Sequence, residues 1–291
     1  MGKRLLHTPE GVRDIYGLEY DQKSWVEQTL RQVIGSYGYD EIQTPTFEFF
    51  DVFSREVGTT PSKELYKFFD KEGNTLALRP DFTPSIARCA SKYFMEDQAP
   101  LRFCYHGSAF HNISNLQGKW NELTQIGADL INDDTVEADA EMIGLVVEAL
   151  RKIGLTDFLI CIGHVDYFKG LCEQAGLDAE SRERLQEYIC GKNTLAAEEL
   201  LRSCQIDAHN RERLLHVADW SKGVTSLEDA KRLMTDERSS LAISRLESLY
   251  NVLQYYNAQK FVSFDLGMLS QYHYYSGMIF KAYTYGVGNP I

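Results

Sequence analysis

The sequence contains no apolar run long enough to cross a membrane. One of its longest runs, FLICIG at residues 158–163, has six residues, whereas a membrane-spanning helix needs about 20. The first residues, MGKRLLHTPEG, include no apolar signal segment. None of the six cysteines has the Cys-x-x-Cys spacing of a metal or redox pair. We therefore expect a cytoplasmic protein with free, mostly buried thiols, no metal site and no membrane contact.

Positive charge is also scarce. The chain has 30 Lys and Arg residues against 42 Asp and Glu residues, a formal net charge of −12. Such a surface repels polyanions, so we expect no nucleic-acid partner. Residues 109–131 predict a polar hairpin of two strands with its turn at Gln117 and Gly118, a form that suits a small charged ligand. Yet Lys119 is the only Lys or Arg between residues 103 and 131.

The rest of the sequence alternates helical patterns with short strands. Residues 24–39 and 134–155 show the spacing of amphipathic helices, and Asp134 or Thr135 is the predicted cap of the second. Residues 157–165 predict a buried strand. Helices grouped around a largely antiparallel sheet make the predicted fold α+β.

The composition changes between residues 167 and 237. This stretch is rich in Glu, Arg, Leu and Ala, with short helical patterns and no convincing strand. We predict a small helical insertion at 167–237, within a core formed by residues 1–166 and 238–291.

Several polar and aromatic side chains are candidates for one ligand cavity: Asp81, Thr83, Gln125, Asp129, Tyr274 and Tyr275. Gln125 and Asp129 lie four residues apart in a predicted strand, so they share one face. Carboxylates at close range suit an ammonium or imidazole group. Each residue alone is weak evidence, because an aspartate on a strand is more often a solvated surface residue.

Five segments occur in the order and spacing of histidyl-tRNA synthetase: TPEGVRDIYGLE, GYDEIQTPTFE, LALRPDFTPSIAR, QGKWNELTQIGADLI and YHYYSGMIF. The resemblance covers nearly the whole chain and is more specific than any one motif. The sequence resembles in particular the non-catalytic paralogue of the synthetase, the regulatory subunit of ATP phosphoribosyltransferase. The resemblance implies a class II aminoacyl-tRNA synthetase-like core.

Departures from the synthetase pattern distinguish these two relatives. Where the synthetase carries an Arg-x-Glu signature that grips ATP, this chain has His111 and Ile113. The position of its catalytic arginine is Ser270, and that of a later aspartate is His273. An arginine that stabilises a phosphoryl-type transition state can contribute about 10³–10⁵ in rate. The resemblance therefore implies a former ATP site at His111, Lys119 and Ser270, without catalysis and without a cofactor.

The amino-acid side of the site matches the synthetase better. Asp81 takes the position of a glutamate that meets the α-amino group of the ligand. The other candidates fall on further histidine-contacting positions: Thr83, Gln125, Asp129, Tyr274 and Tyr275. The resemblance implies a site that binds L-histidine without activating it.

The resemblance also implies partners. The regulatory subunit serves a short-form ATP phosphoribosyltransferase catalytic subunit, which lacks the regulatory domain of the long form. It is expected to form a homodimer through the region around residues 38–48, within a hetero-oligomer. In this role the chain would activate its partner and contribute to histidine feedback.

Two alternatives stay open at this point. The first is an active histidyl-tRNA synthetase, against which Ser270 and His111 argue. The second is a scaffold without a ligand, against which the retained polar set argues. The sequence ends in YGVGNPI, where both relatives continue into a glycine-rich segment, so the core is expected to be incomplete at that end relative to the family. The synthetase's anticodon-binding domain is likewise expected to be missing.

Overall fold

The structure, a computed structural model, describes residues 6–54, 60–113, 120–218, 227–269, 275–288 and 290–291. The chain divides into two compact units. The first comprises residues 1–133 with 148–154, and the second comprises residues 134–147 with 155–291.

The described residues of the first unit form three helices and two small sheets, apart from the last turn of a fourth helix. Its elements in chain order are α1 (Leu18–Ser36), β1 (Asp40–Glu41), β2 (Phe47–Phe49), α2 (Asp51–Ser54), β3 (Lys67–Phe69), β4 (Thr75–Leu78), α3 (Thr83–Tyr93), β5 (Leu101–Phe110) and β6 (Glu122–Ile131). The strand orders are β1-β5-β6 and β2-β4-β3. A 3-10 turn at Ser62–Glu64 precedes β3.

The β5–β6 hairpin is the longest pairing of the first unit. It runs in antiparallel register from Leu101 opposite Ile131 to Phe110 opposite Glu122. The predicted hairpin is confirmed, although its first strand begins at Leu101 rather than near residue 109. The extra residues belong to the strand because they alternate sides and pair with the second half of β6. The predicted turn at 117–118 lies outside the described residues.

Two apolar clusters hold the elements of the first unit together. Phe82, Ile86 and Tyr105 anchor α3 against the hairpin. Phe53 and Leu65 pack with Ala77 of β4 in the other. The first cluster fixes the start of α3 directly over one face of β5 and β6, and this placement creates the site described below.

The second unit is mainly helical around one sheet. Its elements in chain order are α4 (Val136–Lys152, whose last turn is counted with the first unit), β7 (Phe158–His164), α5 (Val165–Gln174), α6 (Ala179–Cys190), α7 (Thr194–Ser203), α8 (Ala208–Ala218), α9 (Leu227–Leu233), α10 (Glu237–Leu253), β8 (Val262–Phe264) and β9 (Met278–Thr284). The strand order is β8-β7-β9, with β7–β8 parallel and β7–β9 antiparallel.

Local capping explains where several of these helices begin. The backbone N–H of Ala138 donates to Thr135 Oγ1 at 3.2 Å, so Thr135, one of the two predicted residues, caps α4. Asp178, Asn193 and Asp236 cap α6, α7 and α10 in the same way. Each cap satisfies a backbone donor that the first helical turn leaves unpaired.

Helices α5 and α10 approach closely at Gly170, and this contact leads to a stability prediction. A Cβ atom added at Gly170 would overlap Asp236 Oδ1 and Ser239 Oγ and would lie 2.9 Å from the Ser239 backbone nitrogen. We expect Gly170→Ala to destabilise the protein by about 1–3 kcal/mol, because the added methyl group overpacks the contact. Urea unfolding measures the effect.

Gly35→Ala is the matched control, since Gly35 is also helical and its Cβ would meet nothing within 4 Å. It should leave stability unchanged or raise it slightly, because alanine has the higher helix propensity. Equal unfolding midpoints for the Gly170 and Gly35 variants would contradict the proposed tight contact.

The α+β prediction is confirmed, since four of the six described strand pairings are antiparallel. The predicted helices at 24–39 and 134–155 and the predicted strand at 157–165 also occur.

Within 167–237, the described residues contain helices and no strand. The boundaries of an insertion at 167–237 stay a prediction. In the described part of the chain, no helix is both long and apolar enough to span a membrane.

Candidate ligand-binding site

Four of the predicted site residues meet on one face of the β5–β6 hairpin. Asp81 lies between β4 and α3, and Thr83 is the first residue of α3. Gln125 Nε2 donates to Asp81 Oδ1 at 3.0 Å. Thr83 Oγ1 donates to Asp129 Oδ1 at 3.2 Å. The predicted neighbourhood of these four residues is therefore present in the structure, whereas the ligand assigned to them stays a prediction.

The Asp81 carboxylate is oriented by the backbone of the next residue. Its Oδ1 also accepts a hydrogen bond from the Phe82 N–H at 2.7 Å. With Gln125 on the same oxygen, this atom has two donors, and the carboxylate stays half-buried. A carboxylate held in this way can accept a hydrogen bond from an ammonium group without losing much side-chain freedom on binding.

The Asp129 carboxylate is the least satisfied group in this cluster. Its Oδ2 is buried and has no hydrogen-bond partner among the described residues. The pKa of Asp129 is raised to about 6, mainly by burial; the Thr83 hydrogen bond lowers it, and the negative charge of Asp81 adds to the rise. A cationic group placed between the two aspartates would relieve the unpaired oxygen and the repulsion together.

This environment predicts a pH-dependent stability. The pKa of Asp129 in the folded protein lies above its ordinary value of 3.8, so the stability is greatest while the proton is held and falls as the pH rises through about 6. The penalty at neutral pH is up to about 3 kcal/mol. We expect Asp129→Asn, which keeps an acceptor for Thr83, to gain stability over the unchanged protein by about 1–1.5 kcal/mol more at pH 7.5 than at pH 5.

Urea unfolding of both proteins at the two pH values measures this difference. Thr83→Val serves as a control, because it removes a hydrogen bond to Asp129 and retains the titrating carboxyl group. A stability gap between Asp129→Asn and the unchanged protein that is equal at both pH values would contradict the raised pKa.

Three site residues were not predicted from the sequence: Arg79, Phe82 and Tyr105. The Tyr105 ring stacks on Phe82 with centroids 4.5 Å apart, and the Arg79 guanidinium lies 3.9 Å from the centre of the Phe82 ring. Tyr105 and Gly127 are cross-strand partners. The register of the hairpin was the missing signal, because an aromatic residue on a strand otherwise indicates only core packing.

The residues at the former ATP-site positions are only partly described. His111 follows β5, and its backbone N–H donates to the Asn121 carbonyl at 2.8 Å. Lys119 and Ser270 lie outside the described residues. The Arg13 guanidinium pairs with Glu19 and lies 4.9 Å from the centre of the Trp120 ring.

The two predicted tyrosines belong to the late part of the chain. Tyr274 lies outside the described residues. Tyr275 is in the second unit, where it lines a cavity of about 710 Å³ together with His164, Asp166 and Arg245. His164 Nδ1 accepts the Asp166 N–H at 3.2 Å and caps α5. Burial lowers the pKa of His164 to about 4, so this histidine is neutral at pH 7.

Comparisons with known proteins agree with the architecture. A family model described as histidyl-tRNA synthetase matches residues 11–291. An ATP phosphoribosyltransferase regulatory subunit from Acetivibrio thermocellus is 40% identical over 291 residues, which is 100% of this chain and 70% of that protein. Its counterpart from Ruminiclostridium cellulolyticum is 38% identical, with the same coverage.

Two solved structures extend the comparison. An ATP phosphoribosyltransferase regulatory subunit/histidyl-tRNA synthetase from Bacillus halodurans superposes with a TM-score of 0.89 at 32% identity, covering 98% of this chain and 74% of that one. A histidyl-tRNA synthetase from Nostoc shares the fold, with a TM-score of 0.79 at 18% identity, covering 97% and 65%.

The fold is thus that of the class II histidyl-tRNA synthetases. Relatives that are 32–40% identical over 99–100% of this chain are named ATP phosphoribosyltransferase regulatory subunits. The chain belongs to this family. The resemblance seen in the sequence is confirmed.

Proposed function

We propose that this chain is a non-catalytic regulatory subunit that binds a short-form ATP phosphoribosyltransferase catalytic subunit and holds L-histidine. The observation that carries the ligand proposal is the pair of carboxylates on one face of the hairpin. Asp129 Oδ2 is buried without a described partner, and Asp81 is held beside it by Gln125. Membership of the family of ATP phosphoribosyltransferase regulatory subunits supports the proposed catalytic partner.

L-histidine suits this arrangement because it carries two basic groups. Its α-ammonium group can donate to one aspartate, and its imidazole can donate to the other. Gln125 and Thr83 complete the polar lining. We propose that Tyr274 and Tyr275 also contact the ligand, as the resemblance to the synthetase implies.

Two sequence positions on the former ATP side support binding without activation. His111 and Ser270 stand where the resemblance places phosphate-directed arginines. The Arg79 guanidinium is buried and donates to the Ser108 and Thr44 carbonyls at 2.8 and 3.1 Å. Such a guanidinium is engaged in structure, and this supports binding without adenylation.

We further propose a homodimer through the region around residues 38–48, as part of a cytoplasmic hetero-oligomer. Phe47 and Phe49 are 50% and 58% exposed, and the Phe68 ring meets Phe47 at 5.6 Å. Three aromatic side chains on one open sheet face form the kind of apolar patch that a protein partner covers.

Mixing experiments with a short-form catalytic subunit test the proposal. We expect a hetero-oligomer by size-exclusion chromatography with light scattering, and a transferase rate above that of the catalytic subunit alone. Because binding couplings are reciprocal, activation and histidine inhibition should be linked through the same two states, with a typical coupling of about 1–3 kcal/mol.

The location of the histidine site is tested in the same assay. Asp81→Ala should weaken inhibition by histidine while leaving the hetero-oligomer intact. Inhibition that survives in this variant would leave the chain an activator only. A protein that neither binds nor activates the catalytic subunit would overturn the central proposal.

A further inference from the structure

Three side chains next to the proposed ligand site form a continuous stack. The Phe82 ring is covered by the Arg79 guanidinium at 3.9 Å and by the nearly parallel Tyr105 ring at 4.5 Å, with an interplanar angle of 10°. Both neighbours are too close to share one face of the ring, so they lie on opposite faces. All three side chains are buried.

Two glycines of the hairpin make room for this stack. A Cβ atom at Gly107 would lie 2.7 Å from Arg79 Nη2 and 3.1 Å from Phe82 Cζ. A Cβ atom at Gly127 would overlap the Tyr105 hydroxyl group. Both glycines share the hairpin face that carries Gln125 and Asp129. The stack therefore occupies the same surface as the proposed ligand site.

The first member of the stack fixes the backbone just before Asp81. The Arg79 guanidinium donates to the Thr44 and Ser108 carbonyls. Its backbone N–H donates to Thr46 O at 3.0 Å, and its carbonyl accepts the Phe110 N–H at 2.9 Å. Charge-assisted hydrogen bonds to backbone carbonyls are stronger than neutral ones, so the end of β4 has little freedom to move.

The middle member acts on Asp81 itself. The Phe82 N–H donates to Asp81 Oδ1 at 2.7 Å, on the oxygen that also accepts from Gln125. A displacement of the Phe82 backbone would move its N–H away from this carboxylate, and such a displacement would have to shift the Phe82 ring as well. Arg79 and Tyr105 pack on the two faces of the ring, so the stack opposes this displacement of Phe82.

We propose that Arg79, Phe82 and Tyr105 are positioning residues that hold the Asp81 carboxylate in its ligand-binding orientation. They need not touch the ligand, because they act through the Phe82 N–H. The inference rests on the proposed function only for the identity of the ligand. The orientation of Asp81 can be measured without any ligand.

The test compares two substitutions at Tyr105. Tyr105→Leu removes the stacked ring, and Tyr105→Phe retains it. L-histidine affinity, measured by calorimetry, should fall about tenfold in Tyr105→Leu, because a charge-assisted hydrogen bond is worth roughly this factor or more. Tyr105→Phe should stay within about twofold, since the stack remains. Leu185→Ala, a core truncation in α6, controls for lost stability and should leave the affinity unchanged.

The second readout is the amide proton of Phe82 in the ligand-free protein. Its NMR chemical shift should respond to protonation of Asp81 in the unchanged protein and in Tyr105→Phe. In Tyr105→Leu this response should disappear. Gly127→Ala, which displaces the Tyr105 ring, should give the same loss and replaces Tyr105→Leu if that variant does not fold.

Retention of the Phe82 response and of full affinity in both disrupting variants would overturn the inference. A protein that binds no L-histidine but shows the expected loss of the Phe82 response would overturn the proposed ligand and support the positioning stack. The two failures are thereby distinguishable.

Discussion

Replacing Asp129 with alanine is expected to lower the affinity for L-histidine by about 10- to 100-fold. A hydrogen bond to a charged group contributes roughly 1.5–3 kcal/mol, and 1.4 kcal/mol corresponds to a factor of ten. Asp129 Oδ2 is buried without a partner among the described residues. A cationic group of the ligand would therefore gain a full partner at this oxygen and would lose it in the variant.

Titration calorimetry measures this effect, and two further variants calibrate it. Glu122→Ala removes an exposed carboxylate from the same strand and should leave the affinity unchanged. Thr83→Val removes the hydrogen bond at 3.2 Å that orients Asp129 and should give a smaller loss than Asp129→Ala. If Glu122→Ala and Asp129→Ala weaken binding equally, general charge rather than a specific contact attracts the ligand.

Stability and binding should respond to Asp129 in opposite directions. The raised pKa means that the ionised carboxylate destabilises the folded protein at neutral pH. The same unpaired charge is what a cationic ligand would bind. A residue retained only for structure would lose stability on replacement, so a gain in stability together with a loss of affinity would identify Asp129 as a ligand-binding residue.

Much of the proposed ligand site could be predicted from one strand. Gln125 and Asp129 are four residues apart in β6, so strand alternation places both on one face independently of the tertiary fold. Asp81 and Thr83 could be named as candidates for the same cavity, but spacing could not predict their contacts, because distant segments bring β4, α3 and the hairpin together. The hydrogen bond between Gln125 and Asp81 depends on that packing.

The residues that support the proposed ligand site were harder to predict from the sequence. An arginine that follows the apolar strand β4 suggests a solvated charge, yet Arg79 is 7% exposed because backbone carbonyls satisfy its guanidinium. Gly107 and Gly127 suggest turns or bulges by composition alone. Their actual role depends on the hairpin register, which places them where bulky side chains approach from another element.

The unchanged protein is expected to show no histidine-dependent exchange of pyrophosphate into ATP above background. An active site without its phosphate-directed arginine loses about 10³–10⁵ in rate, and this chain has His111 and Ser270 at the two positions where the resemblance places arginines. Arg79 cannot replace them without breaking its hydrogen bonds to Ser108 and Thr44. An active histidyl-tRNA synthetase, assayed in parallel at equal concentration, provides the positive control.

A trace of synthetase from the expression host could simulate activity, so the assay needs a variant that separates the two sources. Exchange that persists unchanged in Asp129→Ala would come from such a contaminant, because that substitution removes a proposed ligand contact from this chain only. Exchange that is robust in the unchanged protein and lost in Asp129→Ala would mean that this chain activates histidine. In that case the proposal of binding without catalysis would be wrong, and groups other than the two missing arginines would have to stabilise the phosphates.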